Sequence, residues 1–122
     1  MRILQIEPNC VSVVKEIDGS LEAMQEVVGG LIQALFPFDD SVALIANDEG
    51  KLLGLPANRA LWDETGNPYD ILCGTFFLCG APTDCDHFTS LTDEQIEKYR
   101  ARFQHPEMFL NVGGQIVVLP CN

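Results

Sequence analysis

At 122 residues and 13.5 kDa the chain has the size of about one domain, and 47% apolar against 20% charged residues is a globular, not a disordered, composition. Eighteen acids against seven bases leave a net charge of −11, which excludes a uniformly basic surface for direct nucleic-acid binding and fits a basic partner or mimicry of a polyanion. Glu7 and Pro8 break the first apolar run, and no stretch approaches the roughly 18–20 apolar residues of a membrane helix, so a cytoplasmic protein without a membrane segment is expected.

No linker or repeat divides the chain, so a single domain over residues 1–122 is expected. Residues 2–6 and Val11 to Ile17 read as two strands of an antiparallel hairpin turning at Pro8-Asn9-Cys10. Asp18-Gly19-Ser20 then opens a helix, because Ser and Asp accept from first-turn amides. Leu21, Met24, Val27, Val28, Leu31, Ile32 and Leu35 continue at helical spacing, which predicts one helix running to Pro37. Gly29-Gly30 costs about 1 kcal/mol per residue inside a helix, and close packing against a neighbour is the expected compensation.

Ser41 to Ala46 reads as a strand, Asn47 to Gly50 as a turn and Lys51 to Leu55 as the returning strand. After an interruption at residues 56–59, Ala60 to Trp62 is extended and Asp63 to Pro68 turns. The apolar run Asp70 to Cys79 predicts one central strand buried on both faces, or bulged at Gly74. Residues 80–90 form a polar loop. Thr92 and Gln95 have the spacing of a capping box, with Leu91 and Ile96 at the staple positions. Asp93 and Glu94 precede Lys98, Arg100 and Arg102 as the helix dipole prefers, and Ile96, Tyr99 and Phe103 make the inward stripe up to Pro106. Phe109 to Val112 and Gln115 to Leu119 flank Gly113-Gly114 as a closing hairpin. The sum is an α+β fold, a mostly antiparallel sheet with two helices.

Chemistry is harder to find. No phosphate loop, dinucleotide fingerprint, zinc-protease or nucleophile-elbow pattern occurs. Five cysteines, an odd number, argue against a closed disulfide framework, and Cys73 and Cys79 read as buried small hydrophobes. Cys79, Cys85, His87 and His105 lack the close paired spacing of a structural zinc site, so neither a metal nor a cofactor is expected. Cysteine–histidine pairs drawn from Cys73 or Cys85 with His87 or His105 carry no specific signal, and no catalytic residue is expected. Asn58-Arg59 is the most unusual feature, because it lies in an acidic stretch, with seven acids between Asp39 and Asp70. Arg presents a planar fork suited to phosphate or carboxylate. Two readings stand: Arg59 pins a loop through Asp63, Glu64 or Asp70, or it binds an anion beside the backbone of Gly74 and Thr75.

Three segments, Glu16 to Gly30, Gly50 to Leu61 and Tyr69 to Leu78, resemble an uncharacterised family, the domain-of-unknown-function family numbered three-eight-four-six. The resemblance extends over residues 1 to about 105 and includes Phe88 to Tyr99, while the tail Phe109–Asn122 is less familiar. It implies a setting in phages and mobile elements of Gram-positive gut bacteria and brings no reaction with it. In that setting the expected function is non-enzymatic: sequestration of a nucleotide-type immune signal, countering host defence. Asn58, Arg59, Gly74, Thr75, Arg100 and Arg102 are the candidate ligand-binding residues. The alternative is an acidic inhibitor or DNA mimic that binds a basic host protein. A homo-oligomer is expected in either case, through the apolar stripe of the first helix.

Overall fold

The computed structural model describes residues 1–121, which form two helices and nine strands. Strands β1 (Arg2–Ile6) and β2 (Val13–Glu16) make the expected antiparallel hairpin. Helix α1 (Leu21–Val28) follows, then β3 (Ile32–Leu35), β4 (Val42–Asn47), β5 (Ala57–Trp62), β6 (Pro68–Cys73) and β7 (Phe76–Gly80). Helix α2 (Asp93–Arg102) precedes β8 (Glu107–Val112) and β9 (Gln115–Pro120). The central sheet has the order β2-β1-β7-β4-β3, and β5–β6 and β8–β9 are separate two-stranded ribbons. Every pairing is antiparallel, so the α+β class stands.

Alternation along the central strands builds two cores. One face carries Leu4, Ile6, Leu44, Phe76 and Leu78 against α2 and the β5–β6 ribbon. The opposite face carries Ile3, Ala43, Ile45, Phe77 and Cys79 against Met24 and Val28 of α1. Burial there pushes the Cys79 thiol up to about 12, which leaves it protonated and inert.

Three expectations are corrected. The predicted helix to Leu35 is two elements. Ser20 caps α1 by accepting from Ala23, and Gly29 ends it at φ +79°, its amide donating to Gln25 O at 2.8 Å. Leu31, Ile32 and Leu35 fit a helical stripe in spacing, yet a left-handed cap had already terminated the helix. Gly30 does pack closely, but outside the helix: a Cβ there would lie 2.9 Å from Asn47 Nδ2, which donates to Val28 O at 3.1 Å.

Lys51 to Leu55 is a compact turn, not a strand. Leu53 N donates to Glu49 O and Leu55 N to Gly50 O, and Leu52 is left 86% exposed. The run Asp70 to Cys79 is divided between two sheets. Gly74 sits at φ +85°, where a Cβ would meet Leu55 Cδ1 at 2.7 Å, so β6 pairs with β5 while β7 enters the central sheet. The capping box is present in full, with Gln95 N donating to Thr92 Oγ1 at 3.1 Å and Thr92 N to Gln95 Oε1 at 3.0 Å. The closing hairpin is present as well.

Candidate functional site

Asn58 and Arg59 are adjacent on β5, and both are 1% exposed. Neighbouring strand residues normally face opposite ways, but a register shift between Ala57 and Arg59 turns both inward. Asn58 Nδ2 donates to Ile6 O at 2.9 Å and to Gly74 O at 2.8 Å, and its Oδ1 accepts from Arg59 Nη1 at 2.8 Å. Arg59 Nη1 also donates to Asn58 O at 3.3 Å, and Nη2 donates to Cys10 O at 2.6 Å and Phe103 O at 3.1 Å. The pair therefore ties together the end of β1, the turn after it, the β6–β7 crossover and the C-cap of α2. A cation at a helix C-terminus is favoured by the dipole. Burial lowers the guanidinium's pKa, and the charge of Glu107 opposes that shift.

The expected acidic partners of Arg59 are elsewhere. Asp63 accepts from Thr65 and Asn67 within its own turn, and Asp70 pairs with Lys51 at 2.5 Å. Arg59 instead donates to carbonyl oxygens. Gly74 is buried and its carbonyl is taken by Asn58, while Thr75 is partly exposed. Arg100 and Arg102 are exposed on α2, with the Arg102 guanidinium 4.8 Å from the Phe38 ring centroid. Asn58, Arg59 and Gly74 thus form a buried brace, Arg100 and Arg102 an exposed helix face, and Thr75 lies partly exposed beside the brace.

An open cleft lies next to the brace. It measures about 540 Å³ and is lined by Ala57, Tyr69, Ile71 and Cys73 of the β5–β6 ribbon and by Phe109, Ile116 and Val118 of the β8–β9 hairpin. Lys51, Pro68 and Asp70 complete its rim. None of the six sequence candidates is among the residues lining it. Ala57 and Cys73 are paired in register, and each immediately precedes a candidate, Asn58 or Gly74. The one-residue offset reflects strand alternation and the bulge, which a list of residue types does not reveal.

Among the described residues Lys51 is the one cation lining the cleft, and its pairing with Asp70 raises its pKa. Burial pushes the Cys73 thiol up, Lys51 opposes the shift and Asp70 adds to it, so Cys73 is not an activated nucleophile. Among the described residues no three His, Cys, Asp or Glu side chains are grouped to hold a metal. Cys79 is buried in the sheet, whereas Cys85 and His87 are exposed on the loop before α2. No helix among the described residues is long and apolar enough to cross a membrane.

The molecule is thus a small α+β domain with a largely apolar cleft held between two β-ribbons. The family described as domain of unknown function DUF3846 matches residues 1–104, and the chain belongs to it. Phe109, Ile116 and Val118 of the cleft follow the matched region. No curated protein and no solved structure matches the chain.

Proposed function

We propose that the protein is a non-catalytic binding protein that holds a small, flat ligand in the cleft between β5–β6 and β8–β9. The observation that carries this reading is the cleft itself, about 540 Å³, apolar on both walls and with a single ion pair at its rim. Pockets for small ligands occupy roughly 300–1,000 Å³ and combine apolar walls with a few orienting polar groups. Tyr69 offers a ring for stacking. Lys51 offers one charge-assisted contact, for which a ligand anion competes with Asp70.

One cation suits a mononucleotide, or another ring with one anionic group, better than a ligand carrying several phosphates. Sequestration of a nucleotide-type signal, as a means of countering host defence, is the role this reading supports. The test is calorimetric titration with nucleoside monophosphates and aromatic carboxylates. Binding is expected in the parent, is lost when Ile116→Trp fills the cleft, and weakens about tenfold in Lys51→Ala, the worth of one charge-assisted contact. Absence of binding at millimolar ligand, or parent-strength binding by Ile116→Trp, overturns it.

A second reading has its own support. Residues 16–50 contain eight acids and no base, and within them Asp18, Glu22, Glu26, Asp48 and Glu49 are exposed. Arg2, Lys51 and Lys98 are paired with acids, so much of the positive charge is already neutralised. This favours a basic protein as an additional partner, bound by charge. Binding of polylysine should fall steeply with salt and should drop more for Glu22→Lys/Glu26→Lys than for Glu94→Lys/Glu97→Lys. Equal losses in the two variants would reduce the effect to net charge alone.

A further inference from the structure

The β8–β9 ribbon has a second face that the other described residues leave largely exposed. Met108 pairs with Leu119, Leu110 with Val117 and Val112 with Gln115, and strand alternation puts these three pairs on one side. The intervening pair Phe109–Val118 points the other way, into the cleft wall. The five outward apolar side chains are between 37% and 57% exposed. From Met108 to Asn122 the chain carries no charged side chain at all, although its net charge is −11.

We propose that this face is a dimer interface, occupied by the same face of a second copy across a two-fold axis. Charge selects the occupant. Two copies repel each other across their acidic surfaces, and the repulsion is least where the uncharged ribbons meet. A basic partner would find no acid on this face. An aliphatic row is complementary to its own copy, as an isologous contact requires. Two such ribbons stack as the two layers of a sandwich, about 10 Å apart, and supply the layer that a lone hairpin lacks.

This placement differs from the first-helix stripe expected from the sequence. Met24 and Val28 of that stripe are spent in the protein's own core and leave Leu21 and Leu31 exposed, whereas the hairpin presents five apolar side chains in one row. Each strand has six residues, giving a ribbon about 20 Å long and an interface at the small end of the range. The dimer is therefore weak and depends on concentration.

Sedimentation velocity on the full chain, from about 1 to 200 µM at low and high salt, tests the proposal through mass action. The sedimenting mass should rise with concentration toward twice 13.5 kDa. Association should strengthen at high salt, because screening removes the repulsion and leaves the apolar contact intact. Leu110→Glu/Val117→Glu should remain monomeric with an unchanged melting temperature. Leu52→Glu, on the exposed turn before β5, should behave as the parent. If the double glutamate variant melts early, Leu110→Gln/Val117→Thr replaces it, with the same loss of dimer expected. A parent that stays monomeric throughout overturns the proposal, as does a folded double variant that dimerises like the parent. A monomeric parent that instead binds neutral phosphatidylcholine vesicles would assign the face to lipid and would also overturn it.

Discussion

Strand β7 and the β8–β9 ribbon are comparably apolar in sequence and opposite in fate. All five residues of β7 are buried, between β1 and β4 in the plane of the sheet and between two cores across it. On the ribbon, among the described residues, Val118 is the one buried side chain, while Met108, Leu110, Val112, Ile116, Val117 and Leu119 remain exposed. Strand β7 lies inside the matched family region and the ribbon follows it. The difference shows that hydrophobicity records a demand for burial and not its location. In β7 the demand is met within the chain. On the outer face of the ribbon it is not, and that is the physical basis for assigning the ribbon to contacts with other molecules.

Substitutions measure that contrast directly. The largest effect is expected from Phe77→Ala in the middle of β7, about 3–5 kcal/mol, because it leaves a cavity in a packed interior. Urea unfolding at constant m-value would show it, and a loss below 1 kcal/mol would refute the assignment of β7 as the structural centre. Arg59→Ala ranks next at about 2–4 kcal/mol, since it leaves the carbonyls of Cys10 and Phe103 without their donor. Arg59→Lys should also destabilise the fold, because an ammonium lacks the planar fork that spans these acceptors. A normally stable Arg59→Lys protein would show that the brace is dispensable.

Thr92→Ala should cost about 1 kcal/mol through loss of the α2 capping box, with ligand binding unchanged. Unaltered thermal stability would remove the cap from the list of contributions. The smallest effect is expected at Leu110→Ala, under about 0.5 kcal/mol at concentrations where the chain is monomeric, because the side chain is already 40% exposed. A loss as large as that of Phe77→Ala would place the ribbon in a core and erase the distinction between the two regions.

Local chemistry made several elements legible in advance. The capping box of α2, the Ser20 start of α1, the first and last hairpins and the turn after Trp62 each depend on residues within a few positions of one another. The α+β class followed from their order. The length of α1 did not, because Leu31, Ile32 and Leu35 satisfy a helical and an extended spacing alike, and the left-handed cap at Gly29 decided between them. The candidate site was legible only as a neighbourhood. Asn58 and Arg59 stood out by type, but a bulge in β5 turned them into the interior and left Ala57 on the cleft.

The charge, the caps, the turns and the amount of apolar surface needing cover follow from composition and short spacings alone. The division of Asp70 to Cys79 between two sheets emerges from the packed fold, because the crossover at Gly74 depends on Leu55 packing where a Cβ would be. Only the structure decided that Arg59 serves carbonyl oxygens from residues 49 and 44 positions away, at Cys10 and Phe103. Long-range contacts of this kind depend on how separated segments meet, and no short window of sequence contains both partners.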